Sequence, residues 1–414
     1  FDCLQEANWH ASNAEIGGSP GKTNWVANSS PVITSPKYLR MFAQAPDTLV
    51  FVFDRPIDSI QASINTNFLF PPGINTISSM TIPPIHNSIR VVLNKALDKS
   101  KTYPIQIRNM ADCVGIPVDT VLIIKAGIAE ESDRRDCVIN EVLFNPYPGG
   151  SDYVELYNNS DKVIDLSHLA IANRNLSGAV GSVQPVSLVP LYFFPAEYIV
   201  ITEDPASVSR FYHVKESRRL LKLKSMPSMP DDAGNILLLN FHGETIDELK
   251  YDADWHFKLL KNLEGIALER LDKDAITQQQ SNWHSAATTA GYGTPGYMNS
   301  QSLATNEDDN TISVLPKIFS PDMDGRDDIA RINFKLNSIN NVANVWIFNE
   351  RGRCVKNLVR NEIVGNTGYW IWDGLDERNQ PLEPGNYILI TEFFNLQGKK
   401  RRFKNLLIIA NRIN

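Results

Sequence analysis

Several things are scarce in this 414-residue chain, and each absence excludes something. No run approaches the ~18 consecutive apolar residues that a membrane-crossing helix needs. Strong positive charge is missing: 40 Lys and Arg face 47 Asp and Glu, a net charge of −7, which argues against a dedicated nucleic-acid binder. Cysteine is rare. Cys3, Cys113, Cys137 and Cys354 show no CxxC spacing and no adjacent histidine set, so structural zinc is not expected. The seven histidines are scattered, with no HExxH arrangement. A charged stretch followed by an apolar one, as in a signal peptide, is also lacking at the N-terminus. Three full pairings of the cysteines are open. Cys354 reads as a buried strand residue, which directs any bridge to Cys3, Cys113 and Cys137.

What is present is turn chemistry and apolar residues in short runs. The chain is 43% hydrophobic, with 23 Gly, 24 Pro and abundant Asn. That composition builds real cores from many short elements rather than from long helices. Leu49–Phe53, Ile89–Leu93, Tyr103–Ile107, Tyr198–Thr202 and Ile236–Leu239 read as strands. Val138–Phe144 and Tyr153–Tyr157 alternate apolar with polar residues, the pattern of half-buried antiparallel strands joined through Pro146–Gly150. Ala330–Leu336, Ala343–Asn349, Tyr369–Trp372, Tyr387–Phe394 and Arg402–Ala410 continue the pattern, with hairpin turns at Asn349–Gly352 and Asn395–Gly398. Asp204-Pro205 predicts a short helix reaching about Tyr212. The fold class is all-β: tandem Ig-like β-sandwiches joined by short linkers.

A motif repeats. Asn8-Trp9-His10 followed by Gly18-Ser-Pro-Gly21 and Asn24 recurs as Asn282-Trp283-His284 followed by Gly293-Thr-Pro-Gly296 and Asn299. The second copy closes a long block, so the first reads as the tail of a similar block lying upstream. The expected organisation is 1–24, such a tail; 25–127, a first sandwich; 128–300, a second; and 301–414, a third. The second holds 24 acidic and 15 basic residues, a net −9 that exceeds the −7 of the whole chain.

These motifs carry resemblances. Ile139–Pro146, Asp152–Asn158, Asp165-Leu-Ser167, Gly265–Arg270 and Gly293–Gly296 make residues 138–300 resemble a bacterial lamin-tail domain, which implies an Ig-like sandwich. Val50–Pro56, the strand end at Leu93–Leu97 and Asp112-Cys-Val-Gly115 make 25–127 similar to surface-layer-type bacterial Ig-like domains, although Ile116 stands where that family has Asn. Phe319–Asp328, Tyr369–Gly374 and Pro384–Tyr387 make 311–414 resemble the FlgD-like Ig domain that ends many secreted Bacteroidetes proteins. Asp47-Thr-Leu49, Asp58-Ser-Ile60 and Asp119-Thr-Val121 resemble the O-glycosylation signal of such bacteria.

Among chemical candidates, Asp322, Asp324, Asp327 and Asp328 alternate around Gly325. Such a loop either converges its oxygens on calcium or caps its own backbone. Glu141 and Glu155 lie on strands that can be neighbours; close carboxylates suit acid–base work or a structural role. Gly17-Gly-Ser-Pro-Gly21 matches G-x-S-x-G only on paper, since Pro20 follows the serine and no helix does. His10 and His284, beside tryptophans, read as closing a sandwich edge. Basic clusters at Lys215–Lys224 and Lys399–Lys404 read as solvated tips or guarded edges, with anionic lipid or nucleic acid as the alternative. No catalytic or cofactor residue is nominated.

The resemblances imply a non-catalytic scaffold or adhesion protein, secreted or on the outer-membrane surface of a Gram-negative bacterium, with the periplasm as the other location. Its partner is expected to be a protein or envelope component met through loops and sheet edges, without nucleic acid and at most peripheral to the membrane. Two other readings stay open. One is the accessory C-terminal region of a larger secreted hydrolase or nuclease. The other is a subunit of an outer-membrane secretion or uptake complex.

Overall fold

The computed structural model describes residues 18, 20–22, 34–118, 121–175, 177–302, 310–338, 341–395 and 399–411. The strands in chain order begin with β1 (Tyr38–Ala45), β2 (Thr48–Phe53), β3 (Phe68–Leu69), β4 (Thr76–Thr81), β5 (Ser88–Leu93), β6 (Tyr103–Arg108), β7 (Val121–Ala126) and β8 (Ala129–Glu130). A one-turn helix, α1 (Ser59–Ala62), follows β2. Next come β9 (Cys137–Leu143), β10 (Tyr153–Asn158), β11 (Val163–Asp165), β12 (Ala170–Arg174), β13 (Val180–Pro185), β14 (Tyr192–Phe193) and β15 (Tyr198–Thr202). Helix α2 (Pro205–Phe211) leads to β16 (Leu220–Lys222), β17 (Ala233–Leu239), β18 (Thr245–Asp252), β19 (Leu268–Arg270) and β20 (Trp283–Ser285). The last are β21 (Thr311–Leu315), β22 (Ile318–Phe319), β23 (Ala330–Lys335), β24 (Asn341–Asn349), β25 (Cys354–Val364), β26 (Thr367–Trp372), β27 (Gly385–Asn395) and β28 (Lys400–Ile409). The protein is all-β, as its short alternating runs require. No described helix is long and apolar enough to cross a membrane.

The chain forms two compact units. The first comprises residues 1–132, 160–168 and 187–195. Its sheets run β1-β2-β5-β4, β3-β6-β7 and β14-β11-β8. Phe51, Phe53, Ile89, Val91 and Ile105 are fully buried in one core. Burying each such side chain contributes about 1.5–3 kcal/mol. Asp112 ties the following turn by accepting from the N–H groups of Val114 and Ile116 at 3.0 and 2.9 Å. Asp58 N-caps α1, accepting from Ile60 and Gln61, and the Asp47 carboxylate takes the Thr48 hydroxyl at 3.0 Å. Residues 119 and 120 of the third Asp-Thr motif lie outside the described set. Cys113 is disulfide-bonded, while Cys137 and Cys354 carry thiols; Cys3 lies outside the described residues.

The second unit comprises residues 133–159, 169–186 and 196–414. Its earlier part pairs a sheet β16-β15-β10-β9-β19-β20 with a sheet β13-β12-β17-β18. Helix α2 starts as its sequence dictates: the Asp204 side chain accepts from Ala206 N–H and Pro205 sits in the first turn. The expectation of half-buried strands at β9 and β10 is overturned. Every residue of β9 is buried, and so are all of β10 except Tyr157. Asn140, Glu141 and Glu155 are covered as well, by the segment from Gly293 to Gln301, described below.

The later part pairs β21-β23-β26 with β22-β28-β27-β24-β25. Val345, Ile347, Trp372, Leu389 and Phe393 fill the space between them. Cys354 corrects the sequence reading, because it is exposed. It stands opposite Phe348 in the register, on the outer face. Val355 and Leu358 pack toward the core instead. A one-residue difference in register inverts the face that a side chain meets.

The two parts of this unit share an apolar seam of Phe257, Val342 and Ile363. Hydrogen bonds flank it: Asn366 N–H donates to Ser300 O at 3.3 Å, and Gln301 Nε2 to Val364 O at 3.4 Å. Gly365 is needed there, since an added Cβ would meet Ser300 O at 2.6 Å. Gly365→Ala is therefore expected to lower stability by about 1–3 kcal/mol in urea denaturation. An unchanged midpoint would show that the seam yields freely.

Candidate functional site

Cross-strand register builds the most unusual feature of the molecule. Glu141 on β9 stands opposite Glu155 on β10 and opposite Glu269 on β19. Three glutamates thus form a row across three adjacent strands, and all are fully buried. Like charges so placed repel, and burial penalises each ionised form.

The Gly293–Gln301 segment answers this with donors. Thr294 N–H reaches both Glu141 oxygens at 3.0 and 3.2 Å. Tyr153 adds its phenol to Glu141 Oε1. Gly296 N–H donates to Glu155 Oε2 at 2.6 Å, and Asn140 Nδ2 to Glu155 Oε1 at 2.7 Å. Ser300 Oγ and Gln301 N–H donate to Glu269 Oε2 at 2.8 and 2.9 Å.

The proton count is decisive. The Thr294 hydroxyl lies 2.6 Å from Glu141 Oε2 and 2.9 Å from Glu269 Oε1. It has one hydrogen to give. Two ionised carboxylates would leave one of these contacts without a proton, so one acid must be neutral. Burial and the neighbouring Glu141 raise the Glu269 carboxyl to about 8. With the proton on Glu269, that acid would donate to the Thr294 hydroxyl, which would donate to Glu141, an arrangement the Glu269→Gln variant below tests. Burial raises Glu141, and burial followed by repulsion from Glu141 raises Glu155.

The repeated motif is thereby explained residue by residue in its second copy. Asn282 binds Asp272 through both N–H and C=O. Trp283 Nε1 donates to Thr277 O at 2.7 Å. A Cβ at Gly293 would meet the Tyr153 oxygen at 2.7 Å. Gly296 adopts φ +87° while its N–H points at Glu155. Asn299 Nδ2 donates to Asn140 O and Arg270 O. His284 is buried on β20, as expected of a sandwich edge. The first copy, including His10 and Ser19, lies mostly outside the described residues.

Beside the row, the Arg270 guanidinium is buried, donating to Ile139 O at 2.8 Å and to Asp247 at 3.3 Å. His256 was not singled out from sequence. Its Nδ1 lies 2.9 Å from Ser285 Oγ, and burial drives its pKa down to about 4. This Ser–His pair is buried, and the Ser285 hydroxyl also accepts from Phe257 N–H at 2.9 Å.

The acidic loop shows a different arrangement. Oxygens of Asp322, Asp324 and Asp328 lie within 4.8 Å of one another. Asp327 is not among them; its carbonyl accepts from Ser320 N–H at 2.9 Å. The carboxylates also hold the loop: Asp328 accepts from Met323 and Gly325 N–H, and Asp324 from Arg326 N–H. The remaining acidic stretches, Asp231-Asp232 and Glu307-Asp308-Asp309, read from the sequence as turn and linker charge; Asp232 accepts from Ala233 N–H, and residues 307–309 lie outside the described residues.

Asp152 lies outside the sequence nominations, although its motif was visible. It lines a cleft of about 250 Å³ with Glu203, Gly150 and Met226. Burial, then Asp231 and Glu203, push its carboxyl up to about 7. Both basic clusters are partly neutralised. Arg218 and Arg219 donate to Glu216, Lys215 caps the Tyr297 ring at 4.4 Å, and Lys400 and Arg402 pair with Glu392.

The Lamin Tail Domain family model matches residues 130–253. No curated protein matches the chain. Among solved structures, the S-layer protein SbsC is similar at 9% identity and a TM-score of 0.21, over 91% of this chain and 54% of that one. PorZ, a surface component of the type-IX secretion system of Porphyromonas gingivalis, shares 11% identity over 90% and 52%, with a TM-score of 0.21. A DUF4876 family protein from Bacteroides thetaiotaomicron shares 11% identity over 42% and 63%, with a TM-score of 0.19. The chain thus spans about half the length of SbsC and PorZ.

The neutral acids predict a pH dependence. The unfolded Glu pKa is about 4.3, and folding raises that of Glu269 to about 8. The folded state then binds more protons, so stability is full below the unfolded value and falls as pH rises toward 8. Asp152 adds to the decline up to about pH 7. Glu269→Gln retains a donor for Thr294 and an acceptor for Gln301. It is expected to lessen the fall in melting midpoint between pH 5 and 8, with Glu141, Glu155 and Asp152 supplying what remains, whereas Glu269→Ala costs about 1–3 kcal/mol or more at every pH. A Gln variant as pH-dependent as wild type would place the proton elsewhere.

Proposed function

We propose that this chain is a non-catalytic scaffold of the bacterial cell envelope or surface, whose loops and sheet edges meet a protein or envelope component. The observation that carries the reading is the fate of its chemically richest residues. Glu141, Glu155 and Glu269 are fully buried and spend their oxygens on the chain's own N–H and O–H groups. Carboxylates used this way position strands. The lamin-tail family match supports the same reading. The expected location is extracellular or on the outer-membrane surface of a Gram-negative cell, including one of Bacteroidetes type. Protease treatment of intact native cells tests it: the chain should be cut while a cytoplasmic control stays whole. Protection until lysis would overturn it.

Calcium at the acidic loop belongs to this proposal. Convergence of Asp322, Asp324 and Asp328 supports it, since close like charges favour a divalent counter-ion. Asp328 would both ligate and hold the loop. A chelator is expected to lower the melting midpoint of wild type but not of Asp322→Ala, read by calorimetry. Equal midpoints with and without chelator in both proteins would leave the carboxylates as backbone caps alone.

A further inference from the structure

The outer face of the sheet β22-β28-β27-β24-β25 carries a feature that neither the scaffold reading nor the acidic loop uses. Strand alternation sends Val345, Ile347 and Leu389 into the core. Their neighbours Trp346, Phe348, Ile388 and Ile390 line an open cavity of about 720 Å³ on the opposite face. In the register Phe348 lies opposite Ile388, and Trp346 opposite Ile390. The four side chains therefore form a continuous apolar floor.

Charge is placed at one end of that floor. Lys404 stands opposite Ile390, and Arg402 lies one step beyond it along the same face. Arg402 is engaged by Glu392 at 2.8 Å. Lys404 enters no ion pair among the described residues. The one carboxylate lining the cavity, Glu350, belongs to the turn after β24 at the Phe348 end, where it accepts from Asn386 N–H at 3.3 Å. The cavity is thus polarised, cationic at one end and apolar along its length.

We propose that this cavity binds a small amphiphile with an apolar body and one anionic head, a long-chain carboxylate being the simplest form. The head lies against Lys404, and the tail runs over Ile390, Trp346, Ile388 and Phe348. The volume falls within the ~300–1,000 Å³ of small-molecule sites. A peptide is disfavoured because β24 and β27 are each hydrogen-bonded on both edges. The floor offers no backbone N–H or C=O, and a peptide laid there would lose its water hydrogen bonds without replacement. Recognition falls to apolar contact and one charge.

The Cys354 thiol supplies a reporter, since it lines the cavity opposite Phe348 and is exposed, whereas Cys137 is buried. The full chain is titrated by calorimetry with dodecanoate below its micelle concentration, with undecyltrimethylammonium as the cation of equal alkyl tail. Alkylation of Cys354 by iodoacetamide is timed in parallel. One dodecanoate per chain is expected, slowing alkylation about fivefold or more, with the cation and Lys404→Glu each weakening binding about tenfold. Lys404 is exposed, so its variant should fold; its circular dichroism and melting check this. Absence of binding, equal affinity for both head groups, or an unchanged alkylation rate at saturation would overturn the proposal.

Discussion

The earlier half of the second unit depends on how one buried row of carboxyl groups is satisfied. Three strands bring three carboxylates into one buried row, and a single threonine hydroxyl stands between two of them. If every acid were ionised, repulsion and lost hydration would pull β9 away from β10 and β19. Holding one acid neutral turns the same row into a chain of donors and acceptors. The partners are 153 residues apart in sequence for Glu141 and Thr294, so the network also fixes long-range topology. A fully apolar row could have packed as tightly, but it would not have distinguished one register from another.

The network reaches further than its own sheet. Glu269 holds Ser300 and Gln301, and these residues in turn hydrogen-bond the strand end at Val364 and Asn366. The later part of the unit is thereby anchored to the earlier part through a carboxyl group rather than through a loose linker. Phe257, Val342 and Ile363 supply the apolar part of the same junction.

Much of the fold was legible because alternation and punctuation are local. The runs at Leu49–Phe53 or Tyr387–Phe394 and the Asp204-Pro205 helix start depend on neighbours within a few residues, and they lie where the pattern puts them. The recurrence of Asn-Trp-His with Gly-Thr-Pro-Gly also marked the segment that holds the glutamates. Register between distant strands was not legible. Glu141 and Glu155 could be suspected as neighbours, but nothing local shows that Glu269 completes the row. Asp152 was hidden for the same reason, since Glu203 and Asp231 approach it only in the fold. Burial of both faces of β9 depends on the Gly293–Gln301 segment, which no period-two pattern reports. At Cys354 the misreading came from the strand's first residue, where a turn sets which face alternation begins on.

The position of that clasp in the chain has a consequence for the order of events as the polypeptide emerges. Glu141 and Glu155 are made early, and the donors that satisfy them lie about 150 residues later. Until Thr294 and Gly296 arrive, β9 and β10 can pair but cannot be buried without stranding their acids. Consolidation of this block therefore waits on its last segment, and a nascent chain stopped short of Asn299 would keep that sheet open to solvent. The clasp acts as a completion check, closing the block only when it has been delivered whole.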